Sequence, residues 1–196
     1  MNLALFIEQI EKIDIKLFIF LNSFHSSFWD EIMWLISGKY LWIPLYILLL
    51  YFLIRKYKLK SIYIILLIVL LITLSDQIST QLFKNVFQRF RPCHNQQLIG
   101  IVHLVNGHCG GKYGFVSSHA SNSFALAVFM CLLFKNKYFT VSMLFWAFIV
   151  SYSRIYLGVH YPADVFCGAC LGTGLSFLIY FFYTKLKNKF PNSLYF

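Results

Sequence analysis

The sequence predicts an all-α integral membrane protein, a bundle of about six transmembrane helices. Of its 196 residues, 59% are hydrophobic and only 12% are charged, whereas about 25% of the residues in an ordinary soluble domain are charged. So few charges cannot cover the outside of a soluble domain of this length. Long runs without Asp, Glu, Lys or Arg then predict the individual helices. We expect residues 1–196 to form a single membrane-embedded domain.

Apolar runs set the predicted spans, since a spanning helix takes roughly 17–25 mainly apolar residues. The first 38 residues are ambiguous, because Lys16, Asp30 and Glu31 interrupt the segment from Asp14 to Gly38. That segment is predicted either as a first span or as a helix in the membrane interface, which gives six spans or, alternatively, five. The other five predicted spans are Tyr40–Ile54, Ser61–Ser75, Tyr113–Phe134, Tyr138–Ser153 and Val165–Thr184.

Basic residues indicate how the bundle is oriented. The formal net charge is +10, and much of it lies in three short connections that are expected to share one side. The positive-inside rule makes that side cytoplasmic. We therefore expect a multi-pass protein of the bacterial inner membrane that contacts anionic lipids and not nucleic acid. These basic residues are Arg55, Lys56, Lys58, Lys60, Lys135, Lys137, Lys185, Lys187 and Lys189.

One long polar connection, residues 85–118, is expected on the opposite face, toward the periplasm or cell exterior. Connections of this length within a compact domain are commonly functional, so we expect an active site there. Cys93 and Cys109 lie in this connection and are predicted to form a disulfide worth about 3 kcal/mol, with free thiols as the alternative. Cys167 and Cys170 form an isolated C-x-x-C in the last span, where helix packing is the preferred interpretation.

Acidic residues are too scarce for a two-metal phosphatase, because only Asp76 and Asp164 follow Glu31. Such an enzyme needs several carboxylates or histidines around its ions. A zinc site remains an alternative, although its residues have no common zinc spacing. The candidate ligands of that site are His94, His103, His108 and Cys109. We expect neither a metal nor another cofactor.

Three sequence blocks fall on the predicted outer face. They are Lys84-x6-Arg91-Pro92, Ser117-Ser118-His119, and Ser153-Arg154-x5-His160-x3-Asp164. In this order they resemble the signature of the type-2 phosphatidic acid phosphatase superfamily, over residues 84–164. The second block usually reads Pro-Ser-Gly-His in that family, so Ser118 adds a side chain where the backbone is expected to approach phosphate closely.

The residue types in these blocks suit phosphoryl transfer. Cations stabilise the negative charge that spreads over the equatorial oxygens of the phosphoryl group in the transition state, and a helix N-terminus is an anion site. The predicted phosphate-binding residues are Lys84, Arg91, Ser117, Ser118 and Arg154.

The remaining motif residues are predicted to be catalytic. His160 attacks phosphorus, and Asp164 accepts the other ring N–H of His160 and fixes its tautomer. His119 protonates the leaving oxygen and then activates water. The resemblance implies the same three roles and no metal. Asp76 is predicted to support the site by pairing with Lys84 or Arg154, because ionisable groups inside a membrane are usually paired.

The resemblance implies a metal-independent lipid phosphatase that works through a phosphohistidine intermediate. Undecaprenyl diphosphate is the first expected substrate, and the alternatives are phosphatidylglycerophosphate, phosphatidate and a lipid A phosphate. An alternative function of another class is that of an anion-binding transporter or channel. A third hypothesis is an inactive relative that only binds lipid. The sequence carries no prediction of oligomeric state.

Overall fold

The computed structural model describes residues 3–189, and no strand occurs among them. The helices, numbered here in chain order, are α1 Leu3–Asn22, α2 Ser27–Ser37, α3 Ile43–Tyr57, α4 Ser61–Gln77, α5 Ser118–Phe134, α6 Lys137–Tyr156 and α7 Pro162–Lys189. The predicted all-α membrane bundle is confirmed. Three helical runs are long and apolar enough to cross a membrane, and they are Tyr40–Phe87, Lys137–Tyr156 and Pro162–Lys189.

The first of these runs is a hairpin and not one straight helix. Lys58 has a φ of 51°, which interrupts the helical backbone because left-handed conformations do not continue a right-handed helix. Helices α3 and α4 then pack side by side, with Leu49 and Leu53 facing Ile65 and Ile68 across a shared crevice. The predicted spans Tyr40–Ile54 and Ser61–Ser75 are therefore the two legs of this hairpin.

The segment from Asp14 to Gly38 is neither one span nor one interfacial helix. It is divided between α1 and α2, which are separated by residues 23–26. Helix α1 ends at Asn22, whose buried side-chain amide donates hydrogen bonds to the carbonyls of Ile155 and Tyr156 at 3.2 and 2.8 Å. Because Asn22 binds the end of α6, the chain turns there and α2 starts in a new direction.

Helix α4 continues into a π-helical segment, Ile78–Lys84, and then a short α-helical turn, Asn85–Phe87. Segments of π-helix occur frequently at functional sites. Residues 88–117 follow, with short 3₁₀ turns and a disulfide between Cys93 and Cys109. Helix α5 begins only at Ser118, so the first five residues of the predicted span Tyr113–Phe134 belong to this connection.

Small residues bring α5 and α7 into close contact. A Cβ atom placed on Gly168 would lie 2.5 Å from the Ser117 carbonyl oxygen, and one on Gly172 would collide with that of Ser121. Ser176, two turns from Gly168, donates to the Ala125 carbonyl at 2.7 Å. Small residues four apart let two helix backbones approach closely within a membrane. The N-termini of α5 and α7 thus lie side by side.

Candidate active site

All three sequence blocks lie at one end of the bundle. Lys84 ends the π-helical segment, and Arg154 is in the last turn of α6. Ser117 precedes α5, and Asp164 is in the first turn of α7. Arg91 lies in the connection that covers this end. The juxtaposition of α5 and α7 fixes the second and third blocks relative to each other, since the Ser117 amide donates to the Asp164 carbonyl at 2.9 Å.

His160 and Asp164 form a buried hydrogen-bonded pair. Their side chains are 2% and 0% exposed, and Nδ1 of His160 lies 3.4 Å from Oδ2 of Asp164. Pro162 starts α7, which is a favoured position for proline, and puts Asp164 in the first turn. There Oδ2 also accepts the backbone N–H of Tyr161 at 3.0 Å. Asp164 therefore caps its own helix and orients His160 at the same time.

The second carboxylate oxygen of Asp164 is bound by Arg89, which occupies an unspecified position of the first block and was not predicted as a site residue. Arg89 donates from Nη1 to Oδ1 of Asp164 at 2.8 Å and from Nη2 to Oδ2 of Asp14 at 2.7 Å. Its guanidinium also stacks on the Tyr161 ring, 4.1 Å from the ring centre. Asp14 in turn accepts the Ala163 amide at 2.9 Å. Helix α1 is thereby joined to the start of α7.

The surroundings of His160 favour its neutral ring. Burial, followed by the positive charges of Arg91, Arg154 and Lys84, holds the pKa of His160 well below its usual value of 6.5. A neutral imidazole has a free nitrogen lone pair, as a nucleophile requires. The backbone at Gly114 also lies close to this pair. A Cβ placed on Gly114 would be 3.0 Å from Oδ2 of Asp164 and 3.5 Å from Nδ1 of His160.

Lys84, Arg91 and Arg154 are cations without a carboxylate partner within 4 Å among residues 5–189. Arg91 instead donates to the carbonyls of Tyr113 and Cys109 at 3.2 and 3.1 Å, which holds it against the disulfide-closed part of the connection. Three unpaired cations at one site favour a bound anion.

Other donors at this site also lack partners. Nη1 of Arg154 donates to Ser37 Oγ, while its buried Nε has no hydrogen-bond partner among the described residues. Ser117 occupies the N-cap position of α5, but its fully buried hydroxyl makes no capping bond and finds no partner in the described part of the chain. The first amides of a helix have no partner within the helix. The start of α5 therefore offers a hydroxyl and backbone N–H groups to the same anion.

Ser118 positions Lys84. Its Oγ accepts from Lys84 Nζ at 2.9 Å and from Ser79 Oγ at 2.8 Å. Ser118 is the first residue of α5 and is not among the positive-φ residues. Ser118, which replaces the usual glycine, is thus unstrained, and it holds Lys84 by a hydrogen bond.

Asp76 does not form the predicted ion pair. Within the part of the chain that the structure describes, neither Lys84 nor Arg154 lies within 4 Å of its carboxylate. Asp76 instead accepts a long hydrogen bond of 3.5 Å from Asn122 Nδ2. Lys84 and Arg154 instead donate to hydroxyl groups, those of Ser118 and Ser37.

The alternative zinc site does not assemble. The disulfide joins the sulfur atoms of Cys93 and Cys109, so these residues offer no thiolate to an ion. His94 lies beside them, but the ring of His103 pairs with Asp30 at 2.9 Å and that of His108 packs edge-on against Trp34. The predicted ligands therefore do not share one centre.

Comparison with known proteins identifies relatives of this architecture. Residues 65–188 match the PAP2 superfamily, the type-2 phosphatidic acid phosphatases that the three blocks resemble. A lipid A 4'-phosphatase of Bacteroides thetaiotaomicron is 40% identical over 92% of this chain and 81% of its own length. An undecaprenyl-diphosphatase of Sulfolobus acidocaldarius is 32% identical over 71% of this chain and 62% of its own length.

A solved structure has a similar fold. It is the crystal structure of a transmembrane PAP2 type phosphatidylglycerolphosphate phosphatase from Bacillus subtilis, with a TM-score of 0.70 and 22% identity. The similarity covers 91% of this chain and 88% of that one.

Proposed function

Because this chain belongs to the PAP2 superfamily, we propose that it removes a phosphate monoester from a glycolipid of the lipid A class through a phosphohistidine intermediate. Its membership makes it a membrane hydrolase of phosphate esters. The single observation that carries the finer proposal is the cluster of Lys84, Arg91 and Arg154 around His160, without a carboxylate partner among the described residues. A phosphoryl group supplies the missing negative charge.

In the first proposed step, His160 attacks phosphorus. Since Nδ1 faces Asp164, Nε2 is the attacking nitrogen, and Asp164 stabilises the positive charge that develops on the ring. A phosphorus–nitrogen bond forms as the bond from phosphorus to the leaving oxygen breaks. His119 gives a proton to that oxygen, so the lipid leaves as an alcohol.

In the second step, a water molecule attacks the phosphorus of phosphohistidine, and His119 takes up the water proton. The phosphorus–nitrogen bond breaks, which returns His160 to its neutral form and releases inorganic phosphate. Lys84, Arg91 and Arg154 stabilise the equatorial oxygens in both steps, and Ser117 with the start of α5 adds neutral donors. Apart from the attacking water, both steps use only groups of this chain.

The proposed substrate is a lipid A phosphate, one of the alternatives expected from the sequence, and not undecaprenyl diphosphate, the first expectation. The greater identity and coverage of the lipid A 4'-phosphatase support this choice over the undecaprenyl-diphosphatase. Undecaprenyl diphosphate stays as the second candidate because that relative is also similar to most of this chain.

We further propose that the site faces the periplasm from the inner membrane. Lys56 Nζ donates to the Leu133 carbonyl at 2.9 Å, so the α3–α4 and α5–α6 turns adjoin. Helix α7 runs parallel to α5 and therefore brings Lys185 and Lys187 to that same end. The basic turns thus lie at the end of the bundle opposite His160, as the positive-inside rule requires of a cytoplasmic side.

The experiment uses purified protein in detergent with a chelator present. Phosphate release is measured from lipid A, undecaprenyl diphosphate, phosphatidate and phosphatidylglycerophosphate, for the parent and for His160→Ala. We expect release from lipid A by the parent and none by the variant. Release by His160→Ala at the parent rate contradicts the nucleophile, and preference for another lipid contradicts the substrate.

A labelling experiment tests the intermediate separately. With a ³²P-labelled aryl phosphate, whose leaving group needs no proton, His119→Ala is expected to accumulate label on the protein because only its second step is slowed. The double variant that also carries His160→Ala is the matched control and is expected to take up no label. Equal labelling of the two proteins contradicts the phosphohistidine.

A further inference from the structure

A cavity of about 440 Å³ opens beside His119, on the side of the bundle where α3, α4, α5 and α6 meet. Ser118 and His119 form one end of it, and the rings of Trp42 and Tyr46 form part of its wall. The cavity therefore begins at the residue proposed to protonate the leaving oxygen and continues between apolar helices. Its position suits the part of the substrate that departs with that oxygen.

Three polar groups on residues that line this cavity are unsatisfied or weakly satisfied among the described residues, and Lys39 and Ser123 are further polar residues of its wall. Within residues 3–189, the Nε1 atom of Trp146, a residue 7% exposed, has no hydrogen-bond partner. The buried Oδ1 atom of Asn122 has none in the same part of the chain. The carboxylate of Asp76 accepts only the 3.5 Å bond from Asn122. Buried polar groups in folded proteins are nearly always hydrogen-bonded, so each such exception calls for an explanation.

The chemistry of these groups defines a ligand. The Asp76 carboxylate and the Asn122 carbonyl oxygen accept hydrogen bonds, and the Trp146 indole N–H donates one. A matching ligand presents O–H or N–H donors together with an oxygen acceptor. Sugar hydroxyls and amides carry both. Undecaprenyl phosphate, the group that leaves from undecaprenyl diphosphate, has phosphate oxygens beside the leaving oxygen, but the polyisoprenyl chain beyond them carries neither.

We infer that this cavity is the leaving-group subsite, and that Asp76, Asn122 and Trp146 select a hydroxyl- or amide-bearing glycolipid over a polyisoprenyl lipid. The inference rests on the proposed function, because it takes His119 as the acid on the leaving oxygen. Trp42 and Tyr46 then contact the apolar part of the same lipid. The polyisoprenyl chain of undecaprenyl phosphate would leave all three polar groups unpaired, and sites of this kind discriminate strongly against ligands that lack the hydrogen-bonding groups.

The test measures kcat/KM for lipid A and for undecaprenyl diphosphate with Asn122→Leu, which removes the amide and keeps the branching and the number of heavy atoms of the side chain. The ratio of the two values is expected to fall roughly tenfold toward the polyisoprenyl substrate, as loss of one hydrogen bond to a buried site implies. Gln77→Leu is the matched control, because Gln77 undergoes the same chemical change while exposed and outside the cavity. Its ratio is expected to stay at the parent value.

A second variant, Trp146→Phe, keeps the aromatic packing and removes the indole donor. It allows the same comparison of the two substrates if Asn122→Leu does not fold. A parent-like ratio in folded Asn122→Leu or folded Trp146→Phe overturns the inference and leaves the proposed function standing. A parent that releases no phosphate from lipid A overturns both.

Discussion

Arg89 and Asp164 lie 75 positions apart in the chain, and their side chains meet through a 2.8 Å hydrogen bond directly behind His160. The same guanidinium binds Asp14 of α1 at 2.7 Å. The carboxylate that orients the proposed nucleophile is thus itself oriented from the N-terminal helix. His160, Asp164, Arg89 and Asp14 form a continuous chain of contacts from the reacting nitrogen to α1.

Arg89→Met tests this chain of contacts. Because Asp14 and Asp164 would keep buried charges without a cation, we expect the free energy of unfolding to fall by about 3–5 kcal/mol and kcat to fall with it. Denaturant titration and phosphate release measure the two effects. Lys12→Met, which removes an exposed cation paired with Glu8 on α1, is the control and should leave kcat unchanged. A parent-like kcat in Arg89→Met would show that Arg89 does not position Asp164.

Gly114→Ala tests how closely the covering connection approaches the His160–Asp164 pair. The added methyl group would lie 3.0 Å from Oδ2 of Asp164 and 3.2 Å from Cγ of Arg91, so one of them must shift. We expect kcat/KM to fall by about 10²-fold, the cost of a small misplacement of catalytic groups. Gly111→Ala, where a Cβ meets nothing within 4 Å, is the control. Equal activity of the two variants would contradict the contact.

Burial and the neighbouring cations are expected to lower the pKa of His160 below its ordinary value of 6.5 and so to favour the neutral ring. Histidine NMR titration of the parent, with His160→Ala to assign its signals, measures this pKa directly. Since the pKa is lower in the folded state than its value of about 6.5 in the unfolded chain, the unfolded chain binds more protons. The stabilisation is therefore full above pH 6.5 and is lost as the pH falls toward the folded-state value. A titration midpoint at or above 6.5 would contradict the burial and cationic surroundings of His160.

The Cys93–Cys109 disulfide is expected to support Arg91, since Arg91 donates to the Cys109 carbonyl. Reduction, or Cys93→Ser, should weaken phosphate or vanadate binding severalfold and cost about 3 kcal/mol of stability. Binding is measured by inhibition of phosphate release. Cys170→Ser, which alters an exposed free thiol, is the control, and its response to reductant should match the parent's. Unchanged vanadate inhibition in Cys93→Ser would separate the disulfide from Arg91.

Much of the bundle is predictable because lipid-facing helices need unbroken apolar runs. The run Tyr138–Ser153 lies within helix Lys137–Tyr156, and Val165–Thr184 lies within Pro162–Lys189. The observed helices are longer since their ends, at Pro162–Asp164 and Lys185–Lys189, extend beyond the apolar run. The ordered blocks likewise predicted that Lys84, His119 and His160 lie at the same end of the bundle.

What the sequence did not predict depends on contacts between distant positions. Arg89 lies two residues before Arg91 and has no motif of its own, and its partner Asp14 lies in a different helix. The π-helical segment Ile78–Lys84 has no compositional signal. The expected pairing of Asp76 with Lys84 was wrong, and Lys84 instead donates to Ser118 Oγ. The break after Asn22 follows from its bonds to the carbonyls of α6, which no local pattern announces.

The glycine contact between α5 and α7 also limits where the bundle can open. The backbone carbonyls of Ser117 and Ser121 closely approach Gly168 and Gly172. His119, in the first turn of α5, and His160, two residues before α7, are therefore attached to two tightly packed helices. Separating them would lose the contact along its whole length. We therefore expect any opening that admits a lipid to occur on the opposite side of the bundle, between the α3–α4 hairpin and the other helices. The distance between His119 and His160 is expected to stay constant throughout turnover.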